Sequence, residues 1–331
     1  MYNVLKKLIS VPSVSGREKR LAETVKEMIS PYTDEQYIDA MGNLVACRRG
    51  TAGKNAKKVL LCAHMDEIGL MATAIEDNGY IRVAPIGGIY WSASAYTVVT
   101  FENGTKGVLV PEDSAKPEDY KADCFCIDIG ATSKKEAEKK IAIGDCAILE
   151  PRLTRLMGRK IAGHPLDDKI GCAILVDIAR HLENAACDVY FVFSVQEEVG
   201  CRGAGPASFL IEPDFALVFD VTGTGDAQGA KPMAVKVGGG AAIKIKDKSV
   251  ICHTEVVERL ASLAKGDKIA HQFEILTYGG TDTSSIQVSG NGVRVGALSI
   301  PTRYIHTGVE MADLRDAEAC RDLTLAFIRT V

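Results

Sequence analysis

Three short apolar runs constrain this chain more than any other feature: Lys58-Val59-Leu60-Leu61-Cys62-Ala63, Val189-Tyr190-Phe191-Val192-Phe193-Ser194-Val195 and Phe215-Ala216-Leu217-Val218-Phe219. Continuous apolar runs of this length read as strands buried on both faces. Residues 170–182 and 204–211, between the runs, have helical patterning, as do 5–9 and 17–29, where Leu21, Val25, Met28 and Ile29 fall at helical spacing. Buried strands alternating with helices predict an α/β fold with a mostly parallel central sheet and flanking helices. The alternation resumes from residue 235 and ends in a helix from about residue 313.

The middle of the chain breaks this rhythm. Residues 68–151 are dense in short β-like segments (80–85, 96–101, 107–110) and glycine turns, with one helical patch at 133–142. We read them as a small β-rich domain inserted into an α/β domain formed by 1–67 and 152–331, which suits a length of 331 residues.

Charge and cysteine usage narrow the function classes. With 39 Lys+Arg against 43 Asp+Glu, the net charge of -4 lacks the basic footprint of a nucleic-acid binder. No apolar run is long enough to cross a membrane. Lys6 and Lys7 lie within an amphipathic stretch, unlike a secretory signal. The ten cysteines are scattered without a C-x-x-C, so we expect reduced thiols in the cytoplasm, with Cys62, Cys172 and Cys201 as small hydrophobes.

Five clusters place His, Asp or Glu at strand ends, where α/β sheets carry their ligand sites. His64-Met65-Asp66 follows the first run, with Asp66 able to fix the second nitrogen of a ligating His64. Asp167-Asp168 opens the helix at Ile170, and a helix cap alone would explain it. Glu197-Glu198 follows the most apolar run; two adjacent carboxylates there need a positive charge nearby. Asp220 follows Phe219, and His306 lies in Arg303-Tyr304-Ile305-His306-Thr307. Together they form a nitrogen and carboxylate donor set for two divalent ions, zinc first, with cobalt or manganese compatible. Asp167, Glu198, Asp220 and a bridging hydroxide balance four positive charges; His64 and His306 are neutral ligands, and Glu197 is left as a base.

These clusters, in this order, resemble the tetrahedral (TET-type) dinuclear metallo-aminopeptidases, a family of cytosolic glutamyl and leucyl aminopeptidases sometimes labelled endoglucanase. Ile9-Ser10-Val11-Pro12-Ser13-Val14-Ser15-Gly16, Met41-Gly42-Asn43-Leu44, Asp128-Ile129-Gly130-Ala131 and Gly279-Gly280-Thr281-Asp282 extend the resemblance over nearly the whole chain. It implies a di-zinc exopeptidase-like fold. It also implies His64, Asp167 and Asp220 on one side of the metal pair, Glu198, His306 and a bridging Asp167 on the other, with Asp220 open between the ions. Glu197 matches the general base, Asp66 the histidine-orienting carboxylate, and the Asp167–Asp168 peptide is implied to be cis. Peptides are the implied substrates. The implied assembly is a dimer-based homo-oligomer, up to a tetrahedral dodecamer, with the inserted domain making contacts.

Three positions depart from the family pattern: Lys169 stands for Arg, Ala241-Ala242 for Gly-Pro, and Thr283-Ser284-Ser285 for an Ala-Gly pair. None is a candidate ligand, so the departures bear on substrate preference. The expected reaction is release of N-terminal residues by metal-activated hydroxide, with Glu197 moving the proton. The competing readings are a di-metal carboxypeptidase or deacylase, a glycosidase and a non-catalytic scaffold. A glycosidase needs two carboxylates about 5–9.5 Å apart across a bond, which adjacent Glu197 and Glu198 do not obviously provide. His164 and Asp282 are weighed as site-lining but read as an ordinary loop histidine and a turn residue; His181, His253 and His271 have no supporting neighbours.

Overall fold

The three apolar runs are adjacent in space. In the computed structural model, which describes residues 1–331, strands Asp188–Ser194, Lys58–His64, Phe215–Thr222 and Arg294–Arg303 lie side by side in that order, all parallel. Alternate side chains explain why the runs carry no polar face. Val59, Leu61 and Ala63 enter the main core with Phe191, Phe193, Leu217 and Phe219, whereas Leu60 and Cys62 join Val192, Ala216 and Val218 on the opposite face.

Helices cover both faces. Tyr2–Ile9, Lys19–Ile29, Lys169–His181, Thr254–Gly266 and Leu314–Ile328 contribute to the larger core, and Ala204–Ile211 with the short Thr283–Gln287 closes the other. Lys169–His181 is buried from Lys169 to Ala179, so its apolar residues run all round rather than along one stripe.

The full sheet has eleven strands, and only its middle is parallel. Leu44–Arg48 and Glu35–Ile38 extend one margin antiparallel, and Glu310–Asp313, Lys160–His164 and Arg152–Arg155 extend the other. Ala241–Lys246 branches from Arg294–Arg303 and carries His271–Ile275 as its parallel neighbour. No helix is long and apolar enough to cross a membrane.

Gly69–Ile75, Ile81–Ile86, Phe125–Asp128, Lys106–Pro111, Val98–Phe101 and Cys146–Leu149 close into a separate barrel around its own core of Leu70, Ile81, Val99, Phe101, Leu109 and Phe125. The helix expected at 133–142 forms only at Lys134–Ala137. Ala137 and Ile141 both enter the barrel core, and the chain turns between them.

Candidate metal centre

Parallel strands end together, and that gathers the candidate residues. His64 is the last residue of Lys58–His64 and pairs in register with Ser194, so the segment carrying Glu197 and Glu198 leaves the sheet beside it. Asp220 lies inside Phe215–Thr222 rather than after it, because that strand runs three residues beyond its apolar stretch. Asp167 sits in the turn before Lys169–His181, and His306 in the connection between Arg294–Arg303 and Glu310–Asp313.

Asp167 is central. Its Oδ1 lies 3.1 Å from His64 Nε2, and its Oδ2 lies 3.4 Å from His306 Nε2. His306 Nε2 is also 3.3 Å from Glu198 Oε2, and His64 Nε2 is 3.8 Å from Asp220 Oδ1. Two groups of donor atoms result, each spanning less than 4.8 Å: His64 with Asp168 and Asp220, and Asp167 with Glu198 and His306. Asp168 is a member that sequence reasoning left as a helix cap. It does cap, since its Oδ1 accepts the Gly171 N–H at 3.0 Å, but Oδ2 is buried without a partner. The Asp167–Asp168 peptide bond is cis, as the resemblance implies.

Other side chains hold this arrangement in place. Asp66 Oδ1 accepts the Glu197 N–H at 3.0 Å and Oδ2 the Glu198 N–H at 3.1 Å, while Ser15 Oγ donates to Oδ2. His64 Nδ1 is in hydrogen-bond contact with the Asp66 backbone carbonyl at 3.1 Å, and Asp66 Oδ1 lies 3.4 Å from the same nitrogen. Asn43 accepts from Val195 N–H and donates to Gly203 C=O, pinning both ends of the loop that carries the two glutamates.

Glu310, which no sequence pattern marked, takes the N–H groups of Leu166 and Asp167 on one oxygen and that of His306 on the other. From the barrel, Gly87 and Gly88 press against the site. A Cβ on Gly87 would lie 3.0 Å from Glu198 Oε2, and one on Gly88 would lie 3.0 Å from His306 Nδ1.

The electrostatics call for cations. Burial pushes Asp168, Glu197 and Asp220 well above the ordinary carboxylate range, and repulsion among the acids adds to it. Burial likewise raises Glu198. Burial opposes ionisation of Asp167 too, but contacts with His306 and His64 hold it below its usual value. His306 is desolvated, yet Asp167 and Glu198 push it up to about 11. Two imidazoles cannot neutralise five clustered carboxylates. Glu198 Oε1 is also buried without a hydrogen-bond partner. The residues therefore fit divalent ions bound through nitrogen and oxygen.

A cavity of about 660 Å³ opens onto Asp167, Glu197, Glu198, Asp220 and His306. Cys201 also lines it, and its thiol donates to Glu197 Oε1 at 3.2 Å, so it is no mere apolar filler. His164 ends a strand instead of lying in a loop, and it is buried away from the cavity. Asp282 is 1% exposed and accepts from Ser194 Oγ at 2.6 Å behind the cavity wall. His181 and His271 bond to nearby backbone carbonyls outside the site.

Residues 42–323 match the family described as M42 glutamyl aminopeptidase. The chain is 43% identical over 319 residues to a putative aminopeptidase of Acetivibrio thermocellus, covering 96% of this chain and 94% of that one. Among solved structures, an aminopeptidase from the archaeon Desulfurococcus kamchatkensis superposes with a TM-score of 0.95 at 37% identity, covering 99% of this chain and 94% of that one. The Pyrococcus horikoshii TET1 peptidase, described as assembling into a tetrahedron or a large octahedral shell, superposes with a TM-score of 0.89 at 31% identity, covering 100% and 99%.

Proposed function

The chain belongs to the M42 glutamyl aminopeptidase family and is an aminopeptidase, and from that premise we propose which of its residues carry the hydrolysis. The family implies divalent metal ions; we assign two per subunit, zinc first with cobalt or manganese compatible. His64, Asp167 and Asp220, with Asp168 beside them, would hold one ion, and Asp167, Glu198 and His306 would hold the other. The observation that carries this reading is Asp167, which offers separate oxygens to His64 and His306 at 3.1 and 3.4 Å.

When bound, the ions supply Lewis-acid polarisation of the scissile carbonyl and bring the pKa of water down to about 7. Glu197 takes the proton of the attacking water on its carboxylate and returns it to the leaving amine. Cys201 holds one oxygen of that carboxylate, and Asp66 both orients His64 and fixes the Glu197 backbone. A free α-amino group brings a positive charge to this carboxylate-rich end of the cavity, which makes the reaction exopeptidic at N-termini.

We further assign 1–67 and 152–331 to the catalytic domain and 68–151 to oligomer contacts. We assign a dimer-based homo-oligomer, up to a tetrahedral dodecamer; its tetrahedral form is supported by the tetrahedron or octahedral shell into which the Pyrococcus horikoshii TET1 peptidase assembles. A cytoplasmic location is supported by ten cysteines, none of them in a disulfide.

The test is a set of initial rates on free aminoacyl-p-nitroanilides and their N-acetylated counterparts, with zinc, cobalt or manganese supplied. Cleavage confined to free amines supports the assignment. Release of p-nitroaniline from acetylated substrates would remove the requirement for a free amine, and release of acetate from them would move the site to deacylase chemistry.

A further inference from the structure

Beyond the metal-site residues, Arg303 is the one charged side chain lining the 660 Å³ cavity. It ends strand Arg294–Arg303 and sits three residues before His306. The walls around it are otherwise uncharged, with Val221, Ala227, Leu276 and Ile305 among them. Taken alone, an arginine in an apolar cavity would select an acidic side chain.

That charge is already matched. Asp226, on the segment that follows Phe215–Thr222, receives Arg303 Nη2 at 2.5 Å and Nε at 3.3 Å through its two oxygens. The pairing is bidentate, so the two donors best placed for a carboxylate are both engaged. The third nitrogen, Nη1, contacts Met311 Sδ at 3.8 Å. Arg303 and Asp226 are only 21% and 30% exposed, so water screens the pair less than it would a surface pair. The Arg303 charge holds the Asp226 carboxyl below its usual range against the burial that would raise it.

We propose that Asp226 determines specificity for the N-terminal residue by neutralising Arg303, so that this enzyme prefers neutral apolar side chains over acidic or basic ones. The proposal rests on the aminopeptidase reading, in which that side chain occupies this cavity. An entering glutamate would have to displace Asp226 or stay unpaired beside it. An entering lysine would meet a wall whose only cation is Arg303 and whose nearest carboxylate is already paired.

The experiment uses the metal-loaded full chain with leucyl-, glutamyl- and lysyl-p-nitroanilide and N-acetyl-leucyl-p-nitroanilide. Wild type should show kcat/KM for leucyl at least about tenfold above both charged substrates. Asp226→Asn keeps the shape and frees the guanidinium, so the glutamyl-to-leucyl ratio should rise about tenfold or more, mainly through a lower glutamyl KM. Arg303→Met leaves Asp226 uncompensated and should move the preference towards lysyl, which keeps the test alive if Asp226→Asn fails to fold. A wild type that ranks a charged substrate first overturns the proposal, as does an Asp226→Asn ratio within about twofold of wild type. Failure to cleave any free substrate, or equal cleavage of the acetylated one, would overturn the aminopeptidase reading instead. Free leucine and glutamate as competitive product inhibitors should show the same ranking and the same reversal.

Discussion

Asp66 accepts the backbone N–H of Glu197 at 3.0 Å, so the carboxylate that faces His64 also positions the residue assigned as base. One side chain thus links the ends of two parallel strands, Lys58–His64 and Asp188–Ser194. Asp66→Asn would offer one acceptor where two N–H groups need one each, and would turn an amide donor towards the other. We expect metal affinity to fall about 10–100-fold, with kcat reduced further by the displaced Glu197. Competition with a chromophoric chelator, run beside steady-state rates, measures both, and an unchanged affinity would leave the orientation of His64 to the Asp66 backbone carbonyl alone.

Glu197 makes a cleaner separation between holding metal and moving a proton. It is absent from both donor groups, whereas its neighbour Glu198 belongs to one. Glu197→Gln should lower kcat by at least about 10²–10⁴-fold, leaving metal content at the wild-type level. Elemental analysis of the purified variant decides between the roles: metal lost in proportion to activity would make Glu197 a ligand.

The barrel reaches into the site through Gly88, where a Cβ would stand 3.0 Å from His306 Nδ1 and 3.3 Å from Cε1. Gly88→Ala should tilt the imidazole away from Asp167 and Glu198. We expect the assigned metal position that includes His306 to weaken by about tenfold with the fold intact. Two-phase metal titration followed by calorimetry shows whether only one position responds. If both phases stay as in wild type, the contact is steric filler.

How legible each of these residues was depends on whether its neighbours in sequence are also its partners in space. His64, Glu197, Glu198, Asp220 and His306 stand out because they follow or end apolar runs, and parallel strands carry such ends to one edge; Asp167, in the turn before an apolar helix, looks like a cap until the family resemblance marks it. Glu310 left no trace: a lone glutamate heading a four-residue strand becomes informative only when the turn holding Asp167 folds against it. Gly87 and Gly88 belong to the barrel, and nothing local tells a turn glycine from one that a histidine ring presses on. Cys201 sits near apolar residues in sequence but beside a carboxylate in space. The antiparallel margins of the sheet were hidden for a related reason, since partly exposed strands such as Arg152–Arg155 and Glu35–Ile38 lack the apolar signature of the centre.

His164 gives a prediction about stability that does not depend on catalysis. Burial, reinforced by the charges of Lys169 and Arg152, pushes its pKa down to about 3. In the unfolded chain it titrates near 6.5. Between those values the unfolded state binds a proton that the native state does not, so native stability falls as pH drops through that window. By pH 4.5 two pK units of the gap are in play, a loss of about 3 kcal/mol relative to neutral pH. His164→Leu keeps an apolar side chain of similar size and removes the titration. Its stability relative to wild type, from urea unfolding at pH 7.5 and 4.5, should therefore improve by about 2–3 kcal/mol at the lower pH. A difference that stays constant between the two pH values would mean that folded His164 accepts its proton as readily as the unfolded residue, and that Glu67, whose Oε2 lies 4.0 Å from its Nε2, pairs with the charged ring.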